Sequence, residues 1–426
     1  MRSTFLTSAA VLMFTAAPAL AQSYGTSVPQ TSRAPGAAAS TAAAPAAPAL
    51  CPMKLSNSSR KALLEYQAAH DAKDAARIAT ATAAATAAAK TKEDKCVLGQ
   101  LMLKAAAGRS DYTSAGAAVD MMVQSGAANP AALGLIAASV GKMRFQAKDY
   151  AGAAASFDQA LALAPNDPEA LVLSGEAKVK LNQTAAGLDQ FGKAFAMRTA
   201  AGQPIDETWL KRAVALSYES KNPKVYAFSR QWVSAYPAAK NWRDTLKIYQ
   251  VVSGLPTSEL LDVYRLQRAN KALMGEADYV NYAVALLQKG YPGEAKAVLS
   301  EGIAAGTIKQ SSPSIGPILA TATAKAVGDR AALDGAAKAA TASADGKKAM
   351  TIADAYLGYG DYAKAATLYR AALTKSGTDT AIANLRLGMA LAMSGDKAGA
   401  QAALSAVSGP KAEIAQFWMT YLAQRA

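Results

Sequence analysis

The chain has 426 residues, enough for three domains at the usual ~150 residues each. Hydrophobic residues make up 51% but aromatics only 7%, and Gly and Pro stay near average, which excludes collagen-like and globally disordered classes. Two Cys and one His exclude a multi-Cys/His metal site, and a formal charge of +14 favours anionic partners.

The first 21 residues read as an export signal. Met1 and Arg2 give a positive start, Ala9 to Ala17 a short apolar stretch, and Ala19-Leu20-Ala21 a small-x-small pattern, so cleavage is expected between Ala21 and Gln22. That stretch is too short for a permanent membrane helix, and no later run is long and apolar enough to cross. The mature protein is expected in the periplasm or secreted. Residues 22–55 are mainly Ala, Pro, Ser, Thr and Gly, with Arg33 the one charge as far as residue 52. With no apolar period and few large side chains, this segment is expected to be a disordered tether.

From Ser56 onward the sequence repeats with a period of about 34 residues. The clearest units are Gly134 to Asp167, Pro168 to Ala201 and Gly346 to Asp379, followed by a unit with Leu387-Gly388 and Gly395-Asp396. Each predicts an amphipathic helix, a turn at Gly, Asp or Asn, and a second amphipathic helix. Small side chains recur where two helices must approach closely.

This pattern resembles the tetratricopeptide repeat (TPR). In the unit from Gly134, Gly141, Ala153, Phe157, Ala160 and Pro165 fall on the family's small, aromatic and Pro positions. Tyr279, Ala283, Leu286 and Ala295 are in phase in the unit from Glu276. The unit from Asp206 has Trp209 and Pro237 in phase but Arg212 where Leu is usual. Weaker copies start near Asn57, Cys96, Ala239 and Ser314, the third with a lengthened turn from Val251 to Pro256. The resemblance implies an all-α, right-handed superhelical solenoid of about ten TPR-like helix pairs over 56–410, closed by a capping helix over 411–426. In such a solenoid the first helices lie side by side and parallel. The starts of the first two are then neighbours, so an oxidising compartment and an even Cys count favour a Cys51–Cys96 disulfide.

Catalytic signals are sparse. His70 has no Ser or Cys beside it to suggest a nucleophile pair. Gly358-x-Gly360-x-x-Ala363 follows a helix rather than a strand, so it reads as an inter-helix turn and not a dinucleotide loop. No catalytic residue, metal or cofactor is expected.

The middle of the chain is unusually basic and aromatic. Eight Lys and Arg lie between Lys211 and Lys247 against Glu219 and Asp244, and three of the four Trp fall in or beside the same stretch. Lys240, Arg243 and Lys247, spaced by three and four, share one helix face. The resemblance places that face in a concave groove, with Tyr218 of the preceding unit beside it, while Trp242, Thr245, Leu246 and Tyr249 point into the body. Alternatively, these cations only solvate the helices. The expected function is a non-enzymatic periplasmic scaffold holding a protein or peptide partner in its groove. The second expectation is an accessory factor that binds an anionic envelope polysaccharide during export or assembly. Nucleic acid suits the charge, but the export signal argues against it.

Overall fold

The computed structural model describes residues 49–425 except Met53 and 256–259, and these belong to one compact unit. The expected signal peptide and nearly all of the expected tether lie outside the described residues. Those described form an all-α repeat solenoid without a strand. Five helix pairs open it: α1 (Asn57–Asp71) with α2 (Ala75–Ala88), α3 (Lys92–Ala107) with α4 (Tyr112–Ser125), α5 (Pro130–Gln146) with α6 (Tyr150–Leu163), α7 (Pro168–Lys180) with α8 (Thr184–Ala200), and α9 (Glu207–Glu219) with α10 (Lys224–Ala235). Then come α11 (Ala239–Val252), α12 (Leu261–Ala269), α13 (Glu276–Gln288), α14 (Pro292–Ala304) and the long α15 (Gly316–Ala342). The chain ends with α16 (Gly346–Gly358), α17 (Tyr362–Leu373), α18 (Thr380–Ser394), α19 (Lys397–Ser405), a 3-10 turn (Gly409–Lys411) and α20 (Ala412–Ala423).

One local device makes the period. Most first helices end with a residue of positive φ, at Lys73, Ser110, Lys148, Asn182, Lys221, Gly360 and Gly395 among others. The next amide then bonds back five residues, as Asp149 N does to Arg144 O at 2.9 Å and Asp396 N to Leu391 O at 2.9 Å. This closes the helix with a Schellman turn. The donor residue is commonly an Asp, whose side chain caps the second helix: Asp74, Asp111, Asp149 and Asp396 each accept from the amide three residues on. Small residues then let the pair close. A Cβ on Gly175 would lie 2.9 Å from the carbonyl oxygen of Gly187 on the partner helix, closer than real contacts allow.

The unit expected near Ser314 is not a pair. There α15 runs unbroken for 27 residues, straight through Gly328-Asp329, the same dipeptide that turns the chain at 360–361 and 395–396. A hairpin must bury apolar area between its arms, and α16 with α17 does so through Tyr356, Leu357, Leu368 and Tyr369. The buried residues of α15 are Ala322, Ala326, Leu333 and Ala340, too small a surface to offset the turn, and Ala favours continued helix. The α16 edge also grips the straight helix. Tyr356 Oη donates to Asp334 at 2.5 Å, Tyr359 Oη to Asp329 at 2.7 Å, and Arg330 lies over the Tyr359 ring.

The second half closes on itself. Leu260 to Gln267 are all buried, so α12 is covered on every side. The end of the chain returns to the middle: α20 buries Ile414, Phe417, Trp418 and Tyr421 against α10, α11 and α12. Phe417 meets Trp242 and Tyr249 edge-on, Arg230 pairs with Glu413, and Gln424 Nε2 donates to Val233 O at 2.7 Å.

Candidate functional site

Lys240, Arg243 and Lys247 lie on α11 with the register expected of them. Trp242, Thr245, Leu246 and Tyr249, on the opposite side of that helix, are at most 2% exposed. Two of the three cations share one buried carboxylate on the next first helix, α13. Lys247 Nζ is 2.7 Å from Asp278 Oδ1 and Arg243 Nε 3.3 Å from Oδ2, while Asp278 is 3% exposed. The same carboxylate accepts the Met274 amide at 3.0 Å. Burial pushes the Asp278 carboxyl up, but Lys247, the Met274 amide and Arg243 outweigh it and hold it below the usual range. Lys240 is 77% exposed, with Asp244 at 3.8 Å as its ion-pair partner. Tyr218, at the end of α9, is 40% exposed and makes no bond to these three.

The Asp278 pairing belongs to a ladder running from one first helix to the next. Lys142 on α5 reaches Glu169 on α7 at 2.8 Å, and Glu176 on α7 takes Arg212 on α9 through two bonds of 2.8 and 3.0 Å. Arg212, which breaks the apolar pattern of its unit, is one rung. Leu135, one heptad before Lys142 and so on the same side of α5, is 67% exposed. This face of α5, α7 and α9 therefore combines paired charges with an uncovered Leu.

The interior of the second half holds a polar network that the sequence reading missed. Arg265 on α12 bonds Glu294 at 3.1 and 2.8 Å and Asp262 at 3.2 Å. Arg386 on α18 bonds Asp262 at 3.0 and 3.3 Å and Asp354 at 2.7 Å. Tyr282 and Tyr291 donate to oxygens of Glu294 and Asp354 that the arginines also hold, and Tyr369 donates to the other oxygen of Asp354. Burial raises the Asp262 and Glu294 carboxyls, and the neighbouring guanidiniums more than reverse this, so both are held below the usual range. The clusters are satisfied from within, which is the signature of a clamp rather than a ligand pocket. Among the described residues no three His, Cys, Asp or Glu side chains are grouped to hold a metal ion.

Cys51 and Cys96 are joined by a disulfide, with Cα atoms 5.8 Å apart. His70, on α1, lies against Tyr66 with the two rings tilted by 48° and faces Arg109, whose Nη1 lies 3.1 Å from His70 Nδ1.

No family model matches the chain, and no curated protein matches it. Several solved structures are similar in arrangement. A tetratricopeptide repeat protein from Parabacteroides merdae is 12% identical over 70% of this chain and 99% of its own, with a TM-score of 0.29. The TPR2AB-domain:pHSP90 complex of yeast Sti1 is 12% identical over 68% of this chain and 98% of its own, with a TM-score of 0.25. The TPR domain of P58(IPK) is 14% identical over 78% and 87%, with a TM-score of 0.24.

Proposed function

We propose that the chain is a non-enzymatic TPR-type scaffold of the cell envelope that holds a protein or peptide partner along the first-helix face of its opening units. The observation that carries the reading is Leu135, a large apolar side chain 67% exposed on the laddered face of α5, α7 and α9. A mixed surface of fixed charge pairs around an apolar point suits an extended segment read contact by contact. The second half offers no comparable interior, because α12 and α20 fill it. Export rests on the first 21 residues, and a buried disulfide suits an oxidising compartment. The alternative, an anionic envelope polysaccharide on Lys240, Arg243 and Lys247, draws on Lys240 alone, since the other two share Asp278.

The test is site-specific photo-crosslinking from position 135 in the full-length protein, with position 327 on α15 as control. A discrete adduct from 135 and none from 327, with the melting temperature of both labelled proteins held, supports the reading. Equal labelling from both positions refutes it.

A further inference from the structure

Leu50, Cys51 and Ser56 are tied to the starts of three successive first helices. At α1, Ser56 is the N-cap, its hydroxyl accepting from Ser59 N. At α3, Asp94 takes the Ser56 amide at 3.0 Å, the Ser56 hydroxyl at 2.8 Å and the Ser59 hydroxyl at 2.5 Å, and two residues on, Cys96 carries the disulfide to Cys51. At α5, the amide of its N-cap, Asn129, donates to Leu50 O at 2.8 Å. Asp94 also accepts the Thr91 amide in the capping box that starts α3, so one carboxylate fixes both a helix start and the crossing segment. The two sulfurs are buried, with Cys51 3% and Cys96 0% exposed, in a cluster that includes Leu103, Val119 and Leu133 of units two and three.

We infer that the ties made by Leu50, Cys51 and Ser56 form a redox-set strap that couples the first three repeat units into one block, opening as a whole rather than tie by tie. With both sulfurs buried, an external thiolate reaches them only after the strap lifts, and the strap lifts only when the Asp94 bonds and the Asn129–Leu50 bond break together. Reduction by a dithiol transfers two electrons and two protons to the cystine, leaving two thiols on the chain and a disulfide on the reductant. Without the covalent tie, the remaining hydrogen bonds hold seven residues against their chain entropy, and the strap undocks from α5.

The test uses the full chain with dithiothreitol as reductant. Reduction is expected to speed hydrogen exchange of the Asn129 amide at least tenfold while amides of α16–α18 stay unchanged. An Asn129 amide equally protected in both states overturns the strap. Coupling is read by Asp94→Asn, expected to accelerate loss of the disulfide at least tenfold although residue 94 is not part of it. An unchanged rate in a folded variant overturns the concerted opening. Should Asp94→Asn lose helicity, Ser56→Ala, which removes the hydroxyl tie alone, carries the same rate comparison.

Discussion

Replacing Lys240, Arg243 and Lys247 together by Gln distinguishes a binding patch from an internal counter-charge. Were the three cations merely displayed to solvent, their loss would leave melting almost unchanged, because exposed charges contribute little. The geometry gives a different answer. Asp278 is 3% exposed, and both of its ionic partners, Arg243 and Lys247, disappear in the triple variant. Breaking a fully buried pair from one side costs about 3–5 kcal/mol. Arg243 and Lys247 are themselves 36% and 35% exposed, so water replaces part of what they supply and the cost falls to about 2 kcal/mol. Over a unit of this size that lowers the melting temperature by roughly 2–4 °C.

The assay is a thermal melt followed by circular dichroism, with two controls. Lys240→Gln alone should do nothing measurable. Adding Asp278→Asn to the triple variant should recover most of the loss, since no buried charge is then left uncompensated. The pH dependence supplies a further check. The Asp278 carboxyl is held below its unfolded value, so its stabilisation is complete above the ordinary carboxylate range and is lost as pH falls through the folded value. The triple variant should lose that part of the acid limb. A triple variant that melts with the parent, or one that Asp278→Asn fails to rescue, refutes the assignment of these cations to Asp278.

Arg386→Met should cost ~3–5 kcal/mol, because it strands the buried carboxylates of Asp262 and Asp354, and a thermal melt should show the loss; a near-neutral result would mean Arg265 and the tyrosines suffice. Phe417→Ala, at a side chain with no exposure between Trp242, Tyr249 and Arg230, should cost ~3–5 kcal/mol and speed amide exchange in α10–α12 while α1–α4 stay protected. Burial, then Arg109, lowers the His70 pKa against the weaker pull of Asp71, so its contribution is whole above the free imidazole value and declines as pH falls below about 6.5. His70→Gln should flatten that small step in melting temperature between pH 7.5 and 5.

The helix-pair architecture was legible because it is written locally. Gly360-Asp361 and Gly395-Asp396 announce their turns, since a left-handed Gly followed by an Asp at the N-cap suits the point where one helix stops and the next begins, although only the Asp396 side chain makes the capping bond. Gly328-Asp329 carries the same announcement and fails, because a turn also needs apolar area on both arms and α15 supplies mostly Ala. The α11 face was readable by spacing alone, but the partner of its cations was not: Asp278 looks like any first-turn acid until its burial is known. The interior clamp was further out of reach. Asp262 and Arg386 are 124 positions apart, and only the return of the chain end to its middle brings them together. The one local hint was the segment Leu261 to Arg268, where apolar residues flank Asp262 and Arg265 on both sides, so that no face of a short helix is left free for solvent.

The basic middle of the chain takes on a different meaning once each cation is followed to its partner. Arg230 meets Glu413, Arg243 and Lys247 meet Asp278, Arg265 meets Asp262 and Glu294, and Arg268 meets Glu301. These acids lie on α12, α13, α14 and α20, beyond the Lys211–Lys247 stretch, and Arg212 and Lys224 of that stretch likewise meet Glu176 on α7 and Asp189 on α8, so a linear tally of charge there shows an excess that the fold largely cancels. Those pairings are also what draws the later helices around α12, because a helix with a buried Asp and Arg is stable only when neighbours supply opposite charge. The same residues therefore cannot close the second half and also present a strong anion seat. The proposed recognition is therefore assigned to the first-helix face of the opening units, where the charges are paired between helices and the Leu135 side chain stays uncovered.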